Sequence, residues 1–157
     1  MTKTRIVIAL YLITMLVACG GPGESAVVPQ AQPAAASDAD IGDHIVHFSA
    51  LSTDQLTPEV ARAFNIVRSK NRAMLNVSVL RKSDGKAVTA TVAVGSVNLT
   101  GQLKNISMRK AEEGDAIYYI GEVAVANRET LVFDLSITPE GVDRSSELRF
   151  KREFFTD

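Results

Sequence analysis

The stretch that decides the fold is Leu131-Val132-Phe133-Asp134-Leu135-Ser136-Ile137-Thr138. A large apolar residue occupies every second position, and smaller or polar residues stand between them. Because successive side chains of a β-strand point to opposite faces, this alternation predicts a strand with one buried face. The same spacing recurs at residues 75–79, 88–94, 117–125 and 148–154, so the chain as a whole favours β-structure.

Short turn sequences separate these segments. Ser83-Asp84-Gly85-Lys86 is the strongest of them, since Asp and Gly tolerate the positive φ of a tight turn. Further reversals are predicted at residues 112–115, 126–129 and 139–141. With additional strands at residues 44–49 and 103–109, the pattern predicts an all-β fold, an immunoglobulin-like β-sandwich of about seven antiparallel strands.

One segment breaks the two-residue period. Thr57-Pro58-Glu59-Val60 has a capping residue, a proline suited to the first helical position and an acid near the positive end of the helix dipole. This pattern predicts one short helix, of about two turns, between the first two predicted strands. We expect Val60 and Phe64 of this segment to cover one open end of the sandwich.

The N-terminus has the layout of a secretory signal peptide, with Lys3 and Arg5 before an apolar run. This run ends in Leu16-Val17-Ala18-Cys19, which resembles the bacterial lipobox. The resemblance implies that residues 1–18 are removed and that the sulfur of Cys19 carries a diacylglyceryl group, usually followed by N-acylation. Such acyl chains anchor a protein to a membrane. The alternative is a soluble secreted protein with a cysteine near its cleavage site by chance.

Residues 19–40 are rich in Gly, Pro, Ala, Ser and Gln and contain almost no large apolar residue. This composition predicts a lipidated flexible tether and leaves residues 41–157 as a single domain. The alternative is that residues 29–36 belong to the fold. Gly20 follows the cysteine, whereas enterobacterial lipoproteins kept in the inner membrane mainly have Asp there. We therefore expect an anchor in the outer membrane, with the domain facing the periplasm.

Charge and cysteine content narrow the possible partners. The formal net charge is −1, and removal of the signal peptide with Lys3 and Arg5 brings it to about −3. This balance lacks the basic surface that nucleic-acid binding needs, so no nucleic-acid partner is predicted. Cys19 is the only cysteine, so the chain forms no internal disulfide. We predict no cofactor.

Arg68, Lys70 and Arg72 are the candidate binding residues. In an extended segment their spacing of two places all three cations on one side, where they form a positive stripe. Such a stripe suits carboxylates or phosphates of another envelope protein or of a small anionic ligand. Two alternatives stay open. The charges discourage edge pairing of the strand, or they form structural ion pairs with Glu59, Glu153 or Asp157.

Catalytic sequence patterns are missing from the chain. It has no Gly-x-Ser-x-Gly turn, and His44 and His47, three residues apart on a predicted strand, point to opposite faces. We therefore predict no enzyme activity and no metal site, and favour a membrane-anchored, non-catalytic binding or assembly module. The alternative is a hydrolase or metal-binding protein with a site near His44, His47 and Arg68.

Four segments resemble a known family. They are GDHIVHF at 42–48, IVRSKNRAMLNVSV at 66–79, AIYY at 116–119 and FKREFF at 150–155, of which Arg-Ser-Lys-Asn-Arg at 68–72 is the most specific. They are similar to small exported proteobacterial proteins, the family of domain of unknown function 4426. The resemblance spans residues 41–157. It implies a β-rich envelope domain and carries no known activity or catalytic residue.

Overall fold

The computed structural model describes residues 36–157 of the chain. Eight strands and two short helices follow one another in this part. In chain order they are β1 (Ala36–Ile41), β2 (His44–Ser52), a 3-10 helix (Thr53–Gln55), α1 (Pro58–Ala63), β3 (Arg72–Arg81), β4 (Ala90–Asn98), β5 (Arg109–Glu113), β6 (Ala116–Ala124), β7 (Glu129–Pro139) and β8 (Ser146–Phe154).

The strands form two antiparallel sheets. The larger sheet has the order β1-β2-β3-β6-β5, and the smaller has the order β4-β7-β8. The predicted all-β sandwich is confirmed, with eight strands instead of about seven. We call the end of the sandwich where β1 begins and β8 ends the proximal end, and the opposite end the distal end.

The alternating residues of the strands build the core between the sheets. Phe133 and its apolar neighbours on β7 are fully buried, as their spacing predicts. The ring of Phe150 on β8 lies with its centroid 4.8 Å from that of Phe48 and 4.9 Å from that of Phe133, and so joins the two sheets. A polar contact joins them elsewhere, because the Ala90 amide donates a hydrogen bond to the buried Tyr119 hydroxyl over 2.6 Å.

Helix α1 begins where the sequence predicts, after Thr57, whose hydroxyl accepts a hydrogen bond from the Val60 amide over 3.3 Å. Its predicted packing is wrong. Ala61 and the following Ile66 are buried against Met74 and Ile120, on the outer face of the larger sheet. The helix lies there because the outer face of β3 and β6 is also apolar at these positions and needs a cover. Val60 remains 39% exposed.

Two segments differ from the predicted strand pattern. Five of the six residues of strand β1 lie in the predicted tether of residues 19–40, and they pair with β2 from Ala36↔Ser49 to Asp40↔Ile45. The predicted strand at residues 103–109 does not form. There the chain makes one bridge to β4 at Leu103. The side chains of Ile106 and Met108 then pack on Gly121 of β6, in the space that a Cβ atom would otherwise occupy.

The turns form at the predicted places, but pairing after them is not always local. Gly114, with a φ of +58°, closes a tight hairpin between β5 and β6. The turn at residues 83–86 also forms, with Gly85 at a φ of +67°. After it only the Leu80↔Ala87 bridge pairs with β3, and β4 crosses to the other sheet to pair with β7.

Candidate functional site

The segment that carries the candidate cations is held by a buried threonine. Thr53 is fully buried, and its hydroxyl accepts a hydrogen bond from the Ser69 amide over 2.9 Å. The same hydroxyl lies 2.9 Å from the main-chain oxygen of Val67, to which it donates. A turn then closes between Ser69 and the Arg72 amide, over 3.3 Å. Residues 66–71 therefore do not form one continuous strand into β3, because residues 70 and 71 lie in this turn, and the period-two argument does not hold as far as Arg72.

The three cations consequently point to three different partners. Arg68 donates to the main-chain oxygen of Asp54 over 2.7 Å, and Lys70 donates to the main-chain oxygen of Asp157 over 2.6 Å. Arg72 forms an ion pair with Glu122 over 3.0 Å. The predicted single stripe is thus not built, although all three side chains lie at the proximal end. Asp157, which Lys70 contacts, is one of the three residues named above as possible structural partners of these cations. Glu122 is not among them, because it lies 50 residues further along the chain than Arg72.

The histidines do not converge with Arg68. His47 lies on the outer face of β2, and its Nδ1 is 2.5 Å from the carboxylate of Asp38 on β1. His44 has the parity of the inner face and stands at the distal end of β2. Arg68 lies beyond the proximal end of this nine-residue strand. The length of the strand therefore separates Arg68 from His44 by on the order of 25 Å. Residues 36–157 contain no group of three or more potential ligands placed to hold a metal ion.

A polar cluster at the proximal end has no signal in the sequence. Glu129 and Lys104 form an ion pair over 2.9 Å, with side chains 9% and 18% exposed. The Glu129 carboxylate also accepts from Asn98 Nδ2 over 3.0 Å and from the Ala126 amide over 2.9 Å. Burial alone would raise the pKa of Glu129, but the hydrogen bonds from Lys104, Asn98 and Ala126 outweigh it and lower this pKa.

This cluster holds an apolar loop in place. The Asn98 Oδ1 accepts hydrogen bonds from the amides of Thr100 and Gln102, over 3.1 and 2.9 Å. On the loop that these bonds close, Leu99 is 73% exposed and Leu103 is 77% exposed. No pattern in the sequence distinguishes these leucines from core residues, since apolar residues are ordinarily expected to be buried.

The most exposed large apolar side chains all lie at the proximal end. Besides the two leucines, these are Val67, which is 68% exposed, and Phe155, which is 60% exposed. Val67 directly precedes Arg68, and Phe155 lies on the segment that the Lys70–Asp157 contact joins to residues 66–71. The proximal end therefore combines exposed apolar groups with cationic groups.

Several sequence predictions fall outside the described residues. These are the signal peptide at residues 1–18, the lipidation of Cys19 and the tether as far as residue 35. Within residues 36–157, no helix has the length and hydropathy needed to cross a bilayer.

These features define the class of the protein as a small antiparallel β-sandwich with two sheets and one short helix on an outer face. Residues 38–157 match the family described as domain of unknown function, DUF4426, and the chain belongs to this family. The predicted family is thereby confirmed. No curated protein matches the sequence.

Solved structures support the same assignment. A DUF4426 family protein from Pseudomonas aeruginosa PAO1 is 32% identical, covers 78% of this chain and 96% of its own, and superposes with a TM-score of 0.68. FetP of uropathogenic Escherichia coli strain F11 is 10% identical. Its copper-bound variant covers 78% of this chain and 97% of its own, with a TM-score of 0.56. The structure of FetP in its as-isolated form covers 77% of this chain and 94% of its own, with a TM-score of 0.54. At this identity the likeness to FetP concerns the fold alone.

Proposed function

We propose that the protein is a non-catalytic binding or assembly module of the bacterial cell envelope, held at the outer membrane by acylated Cys19 and facing the periplasm. Its binding surface is the proximal end of the sandwich. One observation carries this proposal, namely the concentration of exposed apolar side chains and cations at that end.

The apolar groups argue for a contact because they are exposed together. Single exposed apolar residues are common, whereas grouped ones mark interaction sites. Of the six large apolar residues that are well exposed in residues 36–157, Val67, Leu99, Leu103 and Phe155 are the four most exposed, and all four lie at this end.

The cations argue for an anionic partner. The acceptor of Arg68 is a main-chain oxygen, so this contact does not neutralise the guanidinium charge. Arg128 lies in the β6–β7 turn at the same end, is exposed, and has no ion pair within residues 36–157. Guanidinium groups bind carboxylates and phosphates through paired hydrogen bonds, so an anionic component of the envelope fits this surface.

A site for hydrolysis or metal binding near His44, His47 and Arg68 has no comparable support. The strand β2 separates Arg68 from the histidines, and the two histidines stand on opposite faces of that strand. Copper is bound by the FetP variant, but that protein shares only 10% identity with this chain. We therefore base no second function on these residues.

Photo-cross-linking in intact cells tests the proposal. A photoreactive residue replaces Val67 at the proximal end, and a matched variant carries it at the exposed Asp143 in the distal β7–β8 turn. We expect a dominant protein or lipid adduct from position 67 that the distal position does not form. The adduct should be lost in a Cys19→Ser form. Equal labelling from both positions, or none from position 67, contradicts the proposal.

A further inference from the structure

We infer that the partner of the proximal end is the surface of an anionic phospholipid bilayer. This inference rests on the proposed function and names the partner of that same surface. The exposed leucines of the β4–β5 loop lie at the boundary of headgroups and acyl chains, while Arg68 and Arg128 contact lipid phosphates. Three independent features of residues 36–157 support it.

The first feature is the rigidity of the loop that presents Leu99 and Leu103. Its backbone is closed by a 3.0 Å hydrogen bond from the Gly101 amide to the Asn98 main-chain oxygen, in addition to the bonds to the Asn98 side chain. Glu129 in turn fixes the Asn98 side chain. These hydrogen bonds favour the loop conformation in which Leu99 and Leu103 are exposed, so their apolar surface is available to a partner. Apolar side chains that project from a polar frame are typical of interfacial membrane contacts.

The second feature is the direction in which the chain enters the domain. Strand β1 begins at Ala36, opposite Ser49 near the end of β2, which is at the proximal end. Cys19 precedes this point by 17 residues, and a chain of this length spans at most about 60 Å when fully extended. An acylated Cys19 therefore keeps the proximal end within this distance of the bilayer and raises its effective concentration at the bilayer surface. At such a concentration a weak surface affinity is enough for contact.

The third feature is the difference in charge between the two ends. At the proximal end Glu59, Glu122 and Glu129 are paired with cations, and the remaining cations Arg68 and Arg128 are accompanied by the carboxylates of Asp54, Glu153 and Asp157, so this end is close to neutral. Among the groups without an ion pair in residues 36–157, the distal turns carry more carboxylates than cations: Asp43, Asp115, Glu140 and Asp143 against Lys86 and Arg144. Anionic headgroups therefore repel the distal end more than the proximal end, and this difference orients the sandwich.

A vesicle-binding experiment tests the inference with residues 20–157, which lack the acyl anchor. Residues 36–157 contain the whole described core, and the Pseudomonas relative crystallised as a chain of which 96% matches this domain, so the domain folds without the anchor. Co-sedimentation is measured with vesicles of phosphatidylethanolamine and phosphatidylglycerol, and with vesicles of phosphatidylcholine alone. We expect binding to the anionic vesicles that weakens between about 0.1 and 1 M salt, as the Debye length falls from about 10 to about 3 Å.

Paired substitutions identify the residues responsible. Leu99→Ser with Leu103→Ser removes the two exposed leucines and should weaken vesicle binding about tenfold, which corresponds to partial burial of both side chains. Val142→Ser is the matched control, because Val142 is an exposed apolar residue in the distal turn. This control should bind vesicles as the parent does. All forms should have the same thermal midpoint, since the three substituted side chains are exposed.

Different results contradict this inference and the proposed function. If residues 20–157 bind no vesicle, or if the leucine variant binds as well as the Val142→Ser control, a bilayer is not the partner. In that case a protein adduct from position 67 in cells would still support the binding module. Self-association that sedimentation velocity detects, and that the leucine substitutions abolish, would overturn the inference in favour of a second copy of the chain.

Discussion

Replacing Glu129 by Gln should destabilise the domain more than any other removal of a single charge at the proximal end. The carboxylate accepts hydrogen bonds from Lys104, Asn98 and the Ala126 amide, at distances between 2.9 and 3.1 Å. In a glutamine, an NH2 group with two N–H donors replaces one of the two acceptor oxygens. One of these donors then faces the Lys104 ammonium or the Ala126 amide, and the ammonium loses its counter-charge.

The magnitude follows from the burial of the pair. Breaking a fully buried ion pair costs about 3–5 kcal/mol, whereas an exposed pair contributes about 0–1 kcal/mol. Because the side chains of Glu129 and Lys104 are 9% and 18% exposed, we expect a loss of about 2–3 kcal/mol. For a domain of this size, that loss corresponds to a fall in Tm of about 8–12 °C.

The matched control is Glu122→Gln, which removes the carboxylate of the Arg72 pair. The side chains of this pair are 22% and 49% exposed, so the expected loss is below about 1 kcal/mol. Urea denaturation at pH 7 gives the free energy of unfolding of both variants and of the parent. Equal losses for the two variants would refute the reasoning, because burial would then not determine the cost.

The dependence on pH gives a second check. The pKa of Glu129 is lowered in the folded state from an ordinary value of 4.5, so its charge stabilises the fold above that value. This stabilisation is lost as the pH falls through the folded pKa, where the parent also becomes protonated. The difference between parent and Glu129→Gln should therefore be constant from about pH 6 to 8 and shrink as the pH falls below about 4.5. A difference that persists undiminished to pH 2 would contradict a role for the charge.

Two further substitutions test the packing and the buried hydrogen bonds. Gly121→Ala should cost about 1–3 kcal/mol in urea denaturation, because an added Cβ would overlap Ile106, whereas Gly95→Ala meets nothing closer than 3.9 Å and should be nearly neutral. If both substitutions are tolerated equally, the packing of residues 105–108 over β6 is wrong. Thr53→Val keeps the side-chain shape but removes the acceptor of the Ser69 amide, and should cost about 1–3 kcal/mol in the free energy of unfolding. An unchanged free energy would show that the segment of residues 66–71 does not depend on this anchor.

The strand pattern of the core could be predicted because it is local. Strand β7 contains Leu131, Phe133, Leu135 and Ile137 at alternate positions, and the structure buries each of them. The capping sequence before α1 is equally local, and the helix begins at Pro58 as predicted. Strand β1 has only a weak signal, since Ala39 and Ile41 are its only apolar residues that pack against the core, and it forms a strand by pairing with β2. Conversely, residues 103–109 have a partly alternating pattern, yet packing over Gly121 draws them away from β4.

The candidate site shows the same division. The cations precede β3 in the sequence, but no local pattern shows that a turn closes between Ser69 and Arg72, or that Arg68 and Arg72 have different partners. The pair of Lys104 with Glu129 joins residues 25 positions apart, and neither residue belongs to a local motif.

The sequence by itself determined that this is an all-β sandwich of the DUF4426 family with a helix after its first predicted strand, because alternation, turn residues and caps act over a few neighbouring positions. The tertiary structure alone decided which strands pair across the chain, where the helix packs, and that exposed apolar groups and cations meet at the proximal end. These outcomes depend on contacts between distant residues, and their free energies are set by burial and geometry that no local pattern specifies.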